Sequence, residues 1–110
     1  MLDAGELSIR RAAANGEVWL GIGGEVDLQT ADQFRRAVQA AVAEAEVGVA
    51  LDLSGVTFFG SHGIGGLVNA RRTADSQGIR FLIRRAPPMM VRVLEVAGLH
   101  DLLIGTEVCL

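Results

Sequence analysis

The chain has 110 residues, half of them hydrophobic, with ten arginines, no lysine and a formal net charge of −3. This length favours one domain over residues 1–110 with a buried core, and the negative charge gives no electrostatic basis for binding nucleic acid. No apolar run approaches the ~18–20 residues that span a bilayer, no secretory signal pattern opens the chain, and the single cysteine, Cys109, excludes an internal disulfide, so we expect a cytoplasmic domain without direct membrane insertion.

Two strands and a helix are predicted for the first part of the chain. Residues 6–13 alternate apolar and polar side chains as an edge strand does, and Asn15-Gly16 indicates a hairpin to a second strand over residues 17–24. Residues 31–45 repeat apolar side chains at helical intervals, and Thr30 has the capping-box spacing to Gln33. Trp19 falls on the opposite face from the apolar side chains of its strand, where it is either covered or exposed.

The middle of the chain predicts a strand, a helix and a further strand. Residues 47–53 are short and largely apolar, which indicates a central strand buried on both faces. Asp52 lies near its end, and we expect its carboxylate to accept hydrogen bonds from the following loop. A helix then runs from Ser61 to about residue 77, with Gly78 as a left-handed cap, and residues 79–84 form the next strand.

The last predicted helix is apolar on nearly every side. Pro87-Pro88 opens it, since proline is tolerated in the first turn, and Gly98 ends it. The side chains expected to face the core are Met90, Leu94 and Ala97. Another face carries Met89, Val93 and Val96. Such a helix is either deeply packed or presents a contact surface. After it, residues 99–104 are predicted to form a turn and a short last strand.

The order is therefore β-β-α-β-α-β-α-β, an α/β fold. The first connection is a hairpin, which makes an antiparallel pair, whereas the later helix-sized crossovers suit parallel strands. We predict a mixed sheet with helices on one or both of its faces.

The stretch over residues 58–67 is the candidate functional site. A strand that leads into a helix start presents unpaired N–H groups and the positive end of the helix dipole, which suits an anion or a modified hydroxyl. The stretch lacks catalytic features, because Phe59 occupies the glycine position of a nucleophile elbow and the adjacent His62 points away from Ser61. The lysine of a phosphate-binding loop and ligand spacing for a metal are also missing. We expect no catalytic residue, cofactor or metal.

Several segments in order make the chain resemble the STAS-domain family, and within it the bacterial anti-sigma factor antagonists. Residues 24–30 are similar to the family's G-E-[IV]-D-x-x-[TN] segment, and residues 51–58 to its central strand and following loop. Residues 61–67 are similar to its D-S-S/T-G-L-G-x-L helix start, and residues 94–99 to its late V-L-E-x-x-G-L segment.

The resemblance implies a non-enzymatic regulator that binds an anti-sigma factor, itself a serine kinase, and so frees a sigma factor. In the family, phosphorylation at the start of the second helix ends this binding. The residues that the resemblance places at the contact are Glu25, Asp27, Phe59, Gly60, Ser61, His62, Gly63 and Ile64.

The phosphate-acceptor motif departs from the family pattern. Aligned on Gly63, the chain has Gly60 for the acidic residue and His62 for the second hydroxyl residue, which is the usual acceptor. Ser61 remains a possible phosphorylation site, although we expect it to be the helix N-cap, with its hydroxyl oxygen bonded to a backbone N–H. We therefore favour loss of the usual switch. The same fold also serves as a subunit of stressosome-like scaffolds or of lipid-transport ABC complexes, and fold does not fix function.

Overall fold

The computed structural model describes residues 6–109, which form a five-stranded sheet and three α-helices in the predicted order. The strands are β1 (Leu7–Ala14), β2 (Glu17–Val26), β3 (Gly48–Phe59), β4 (Arg80–Ala86) and β5 (Glu107–Val108). The helices are α1 (Ala31–Glu44), α2 (Ser61–Ser76) and α3 (Pro88–Val96), and a single 3₁₀ turn (His100–Leu103) precedes β5.

The sheet is mixed, as predicted. Its spatial order is β1-β2-β3-β4-β5, with β1 antiparallel to β2 and every later neighbour parallel. The hairpin turn holds Asn15 and Gly16 at φ values of 55° and 83°, the left-handed conformation for which this residue pair is suited. Gly78, at φ 70°, follows α2 in the same conformation and confirms the predicted helix end.

The three helices cover one face of the sheet. Each joins two neighbouring parallel strands, and all three crossovers step across the sheet in the same direction, so right-handed connections bring the helices to the same side. The core lies between this face and the helices. Its largest fully buried side chains include Leu20, Leu51, Leu53, Ile83, Phe34, Leu67, Met90 and Leu94.

Trp19 lies on the other face of the sheet and is partly covered. Its ring extends over Gly21, where an added Cβ would come within 2.7 Å of the indole. The guanidinium carbon of Arg10 lies 5.5 Å from the ring centroid, within the range of a cation–π contact. Trp19 was predicted to be either covered or exposed, and residues of its own sheet cover it in part.

β3 is longer than the predicted strand over residues 47–53, and the loop expected after it does not form. β3 continues to Phe59 because β2 extends to Val26, and the last residues of both strands pair. Two register irregularities accommodate the glycines in this stretch, where Gly24 adopts a φ of 92°. Val56, within the extension, is buried and contributes to the core.

Asp52 consequently lies within a strand and not at its end. Its Oδ1 accepts a hydrogen bond from the Ser54 N–H at 2.9 Å, and its Oδ2 lies 3.8 Å from the Arg85 guanidinium. The predicted role as a hydrogen-bond acceptor is correct, but the donor belongs to β3 itself.

The capping box predicted at the start of α1 is not formed. Thr30 is the N-cap residue but makes no side-chain capping bond. Its hydroxyl instead donates to the Glu25 carbonyl at 2.7 Å and accepts from the Asp27 N–H at 2.9 Å. Thr30 therefore ties the end of β2 to the helix, a tertiary role that the local spacing to Gln33 does not reveal.

The C-terminal part of the fold differs from the prediction in two places. Ala97 follows the last residue of α3 and is exposed, so it does not face the core. The strand expected over residues 99–104 is a 3₁₀ turn, because Leu99 and Leu102 are both buried at a spacing of three residues. The last strand, β5, comes later at Glu107–Val108.

Candidate functional site

The ends of β2 and β3 meet at the start of α2. Glu25 pairs with Phe58 and Val26 with Phe59 in the parallel register, and the Gly60 N–H donates to the Val26 carbonyl at 2.9 Å. This is the edge where the carboxyl ends of the parallel strands emerge, which is the usual place for binding sites in α/β sheets.

α2 begins at Ser61, with Gly60 as the N-cap in an extended conformation and without a side-chain capping bond. The prediction that Ser61 is the N-cap is therefore wrong, because β3 continues to Phe59 and leaves Gly60 as the single connecting residue. Ser61 and His62 are both exposed in the first turn. They lie at the positive end of the helix dipole, as the sequence predicted.

Gly63 and Gly65 lie on opposite faces of the first turns of α2. A Cβ on Gly63 would lie 2.7 Å from Val26 Cγ1 and 2.9 Å from Phe59 Cζ, so glycine there permits close packing of the helix on the sheet. A Cβ on Gly65 would meet nothing within 4 Å. Gly63 therefore packs against the sheet and does not itself reach a partner protein. Gly65, by contrast, leaves the backbone on the outer side of the helix uncovered by a side chain.

Phe59 was predicted as a partner contact, and the structure contradicts this. Its side chain is only 6% exposed and meets the Phe34 ring edge to face, with ring centroids 5.4 Å apart. Phe58 is instead 51% exposed, and it lies beside Gly60. The reason is the register of the extended β3, which turns Phe59 into the core and Phe58 outward.

Asp27 lies in the turn between β2 and α1, where it has a structural role. Its Oδ1 accepts from the Gln29 N–H at 2.9 Å and from the Thr30 N–H at 3.1 Å. Such an arrangement satisfies the free N–H groups ahead of a helix. Glu25, one position before the last residue of β2, is partly exposed and remains available as a contact at this edge.

A shallow groove of about 230 Å³ separates the first turns of α1 and α2. It is lined by Leu28, Ala31, Asp32, Arg35 and His62. The hydrogen bond from Arg35 is the largest influence on Asp32, and it lowers the pKa of this carboxyl below its ordinary value. The α1 side of the groove therefore carries an Asp32–Arg35 ion pair, and His62 lines the groove from α2.

Leu28 is the apolar member of this groove, and it is 73% exposed. Together with Phe58 it places two large apolar side chains at the edge that contains Ser61. Phe58 lies within the predicted stretch over residues 58–67 but was not among the predicted contact residues, and Leu28 was not predicted at this site. The signal for Leu28 is its position between the polar turn residues Asp27 and Gln29, where a leucine has no core to enter.

The polar side chains of the described residues are the groups that could hold a ligand or a metal ion. Across residues 6–109, every buried side-chain nitrogen and oxygen has a hydrogen-bond partner, so no polar group is held unpaired for a ligand. In the same range no cluster of three or more histidine, cysteine or acidic side chains is arranged for a metal ion. None of the described helices has the length and hydrophobicity needed to cross a membrane.

Comparison with known proteins gives consistent matches. A family model described as "Mlab, STAS domain" matches residues 9–105. The anti-sigma-F factor antagonist RsfB of Mycobacterium tuberculosis is 30% identical in an alignment of 111 positions. The alignment covers 92% of this chain and 90% of that protein.

Two solved structures show the same fold. A crystal structure of an anti-sigma factor antagonist from Mycobacterium paratuberculosis superposes with a TM-score of 0.77 at 24% identity, covering 94% of this chain and 87% of that chain. The structure of the anti-sigma factor antagonist SpoIIAA in its unphosphorylated form gives a TM-score of 0.75 at 18% identity, covering 87% and 85% of the two chains. These likenesses confirm the predicted fold class.

Proposed function

Because this chain belongs to the STAS-domain family, we propose that it is a non-enzymatic anti-sigma factor antagonist that acts in the cytoplasm. It binds an anti-sigma factor of the serine kinase type and thereby frees a sigma factor. The similarity to RsfB over nearly the full length of both proteins supports this role. The alternative roles of the fold are those of a subunit in a stressosome-like scaffold or in a lipid-transport complex. A binding experiment with the anti-sigma factor distinguishes them from the proposed role.

The observation that carries the proposal is the exposed start of α2. Ser61, His62 and Gly65 form an exposed outer surface there, with Phe58 and Leu28 as apolar neighbours. Small residues let a partner approach the helix backbone, while partly exposed aromatic and aliphatic side chains supply the apolar area of a contact. Gly60 and Ile64 complete this contact, and Glu25 adds a charge at its border.

Phosphorylation of this surface would oppose docking. A phosphate adds roughly −1.5 to −2 charges. The helix dipole stabilises this negative charge at a free helix start, but its desolvation costs free energy when a partner excludes water from it. His62 occupies the family's usual acceptor position and has no hydroxyl to form the phosphoester. We therefore propose that this chain binds its partner without the usual switch at position 62.

Ser61 is the remaining hydroxyl residue in the first turn of α2 that a kinase could phosphorylate. Its hydroxyl is exposed and is not the helix N-cap, so capping does not protect it from a kinase. Its position differs by one residue from the usual acceptor, and this moves the side chain about 100° around the helix axis. A kinase site built for residue 62 would meet the imidazole and not the Ser61 oxygen.

The test uses the purified chain and the purified anti-sigma factor kinase from the same source, with affinity measured by calorimetry. We expect binding by the wild type and a loss of at least about tenfold for Ser61→Glu. Ser76→Glu is the matched control, because Ser76 lies at the other end of α2, about 22 Å away, and should bind as the wild type does.

Three results would contradict the proposal. Equal affinity of Ser61→Glu and the wild type would remove the start of α2 from the contact. Absence of binding to any anti-sigma factor, with recovery of the chain alongside an ATPase transport subunit, would favour a lipid-transport role. After incubation with ATP and the kinase, mass spectrometry should find little phosphate on Ser61, and stoichiometric phosphate there would contradict the missing switch.

A further inference from the structure

α3 has an outer face that the fold does not cover. Met90 and Leu94 point inward and are fully buried, whereas Val96 on the opposite side is 84% exposed. Met89 in the first turn is also exposed, and Val93 is only partly covered. A nine-residue helix with this many solvent-facing aliphatic side chains indicates a surface for another protein.

These side chains line a groove between α3 and α2. The groove has a volume of about 400 Å³, and its walls are Ile64, Arg92, Val93, Val96 and Ala97. We call it the α2–α3 groove. Four of the five residues are aliphatic, which is the composition of grooves that receive the apolar side of an amphipathic helix.

The α2–α3 groove is continuous with the surface proposed above. Ile64 and Gly65 follow Ser61 by three and four residues, so both positions are neighbours of Ser61 on the surface of α2. Ile64 is therefore a neighbour of Ser61 and at the same time a wall of the groove. A protein that covers Ser61 therefore lies next to the groove.

The positive charge of the groove comes from Arg92. This side chain has no carboxylate within 4.0 Å in the part of the chain that the structure describes. An apolar helix with a flanking carboxylate would match both the aliphatic walls and the guanidinium.

We propose that the α2–α3 groove binds an amphipathic helix of the anti-sigma factor, with Val96 and Ile64 against its apolar side and Arg92 paired with an aspartate or glutamate. The inference rests on the proposed function and extends the contact from α2 onto α3. It assigns the exposed face of α3 to the same partner that covers Ser61.

The test measures affinity for the purified anti-sigma factor that binds the wild type. Val96→Glu should weaken binding by at least about tenfold, since it puts an unpaired charge among aliphatic side chains. Val47→Glu is the matched control and should leave affinity unchanged, because Val47 is an exposed valine beside the hairpin turn, at the opposite end of β3 from α2. Arg92→Ala should flatten the salt dependence of the affinity.

A second measurement uses the unaltered chain. Hydrogen exchange of residues 88–97 should slow when the anti-sigma factor is added, because the partner covers α3. Wild-type affinity for Val96→Glu, or unchanged exchange in α3, would overturn the groove assignment, while weak binding by Ser61→Glu would leave the proposed function in place. Absence of wild-type binding would overturn the proposed function itself. A wild-type homodimer that Val96→Glu dissociates would make a second copy the occupant and would also overturn the inference.

Discussion

Gly63 and Gly65, two positions apart on α2, should respond in opposite ways to substitution by alanine. In a helix interior alanine is favoured over glycine by roughly 0.5–1 kcal/mol. Gly65→Ala meets nothing within 4 Å and should gain about that amount. Gly63→Ala gains the same helix term but places its Cβ 2.7 Å from Val26 Cγ1 and 2.9 Å from Phe59 Cζ.

Overpacking of this kind costs typically 1–3 kcal/mol, because the core has to shift. Val26 and Phe59 are both in the sheet and both buried, so neither side chain can move away into solvent. The expected net loss for Gly63→Ala is about 1–2 kcal/mol. The two variants should therefore differ in free energy of unfolding by roughly 1–3 kcal/mol, which is the overpacking cost alone, because the helix term is common to both.

Urea unfolding followed by circular dichroism measures both free energies, and an unchanged slope shows that the folded and unfolded states are comparable. Gly65→Ala above the wild type and Gly63→Ala below it is the expected result. If Gly63→Ala were as stable as Gly65→Ala, the close packing of α2 on β2 and β3 would be incorrect, and with it the position of the proposed contact surface.

Three further predictions concern the edge beside α2. Asp27→Ala should lower the free energy of unfolding by about 1–2 kcal/mol, because the N–H groups at Thr30 and in the preceding turn lose their acceptor, and chemical denaturation checks this. Arg35→Ala should raise the pKa of Asp32 toward its ordinary value, and an NMR titration of the carboxyl would detect this change. Because folding lowers this pKa, the ionised carboxylate stabilises the fold at pH values above the pKa of the unfolded chain. This contribution to stability is lost as the pH falls through the pKa of the folded chain. Phe58→Ala should weaken binding to the anti-sigma factor while stability changes little, and equal affinity would exclude Phe58 from the contact.

The element order and the strand pairing were predictable because they follow from local signals. Asn15-Gly16 specifies a hairpin through its tolerance of positive φ, and Gly78 ends α2 for the same reason. The helix-sized segments between later strands leave parallel pairing as the natural arrangement. Each of these inferences depends on residues close together in the chain.

The boundaries around the site were not predictable, because they depend on pairing between distant segments. The stretch after Leu53 contains Ser54 and Gly55 and resembles a loop, yet it is held in β3 by the extension of β2. That extension decides which of Phe58 and Phe59 enters the core. It also removes Ser61 from the N-cap.

The sequence predicts the candidate site at the start of α2, but it does not identify the neighbours that the fold brings there. Leu28 and Arg35 approach His62 only because α1 packs beside α2. The apolar face of α3 was recognised from its composition, whereas its position next to Ile64 required the structure. The predicted core role of Ala97 failed because α3 ends one residue earlier.

We propose that this chain keeps the partner-binding surface of its family but is not released by phosphorylation at the start of α2. The most direct test is the affinity of the wild-type chain for its anti-sigma factor kinase before and after ATP and magnesium are added. We expect binding in both conditions, with no phosphoester at residue 62 and little at Ser61. Release of the chain upon addition of ATP, with stoichiometric phosphate on Ser61, would contradict this proposal.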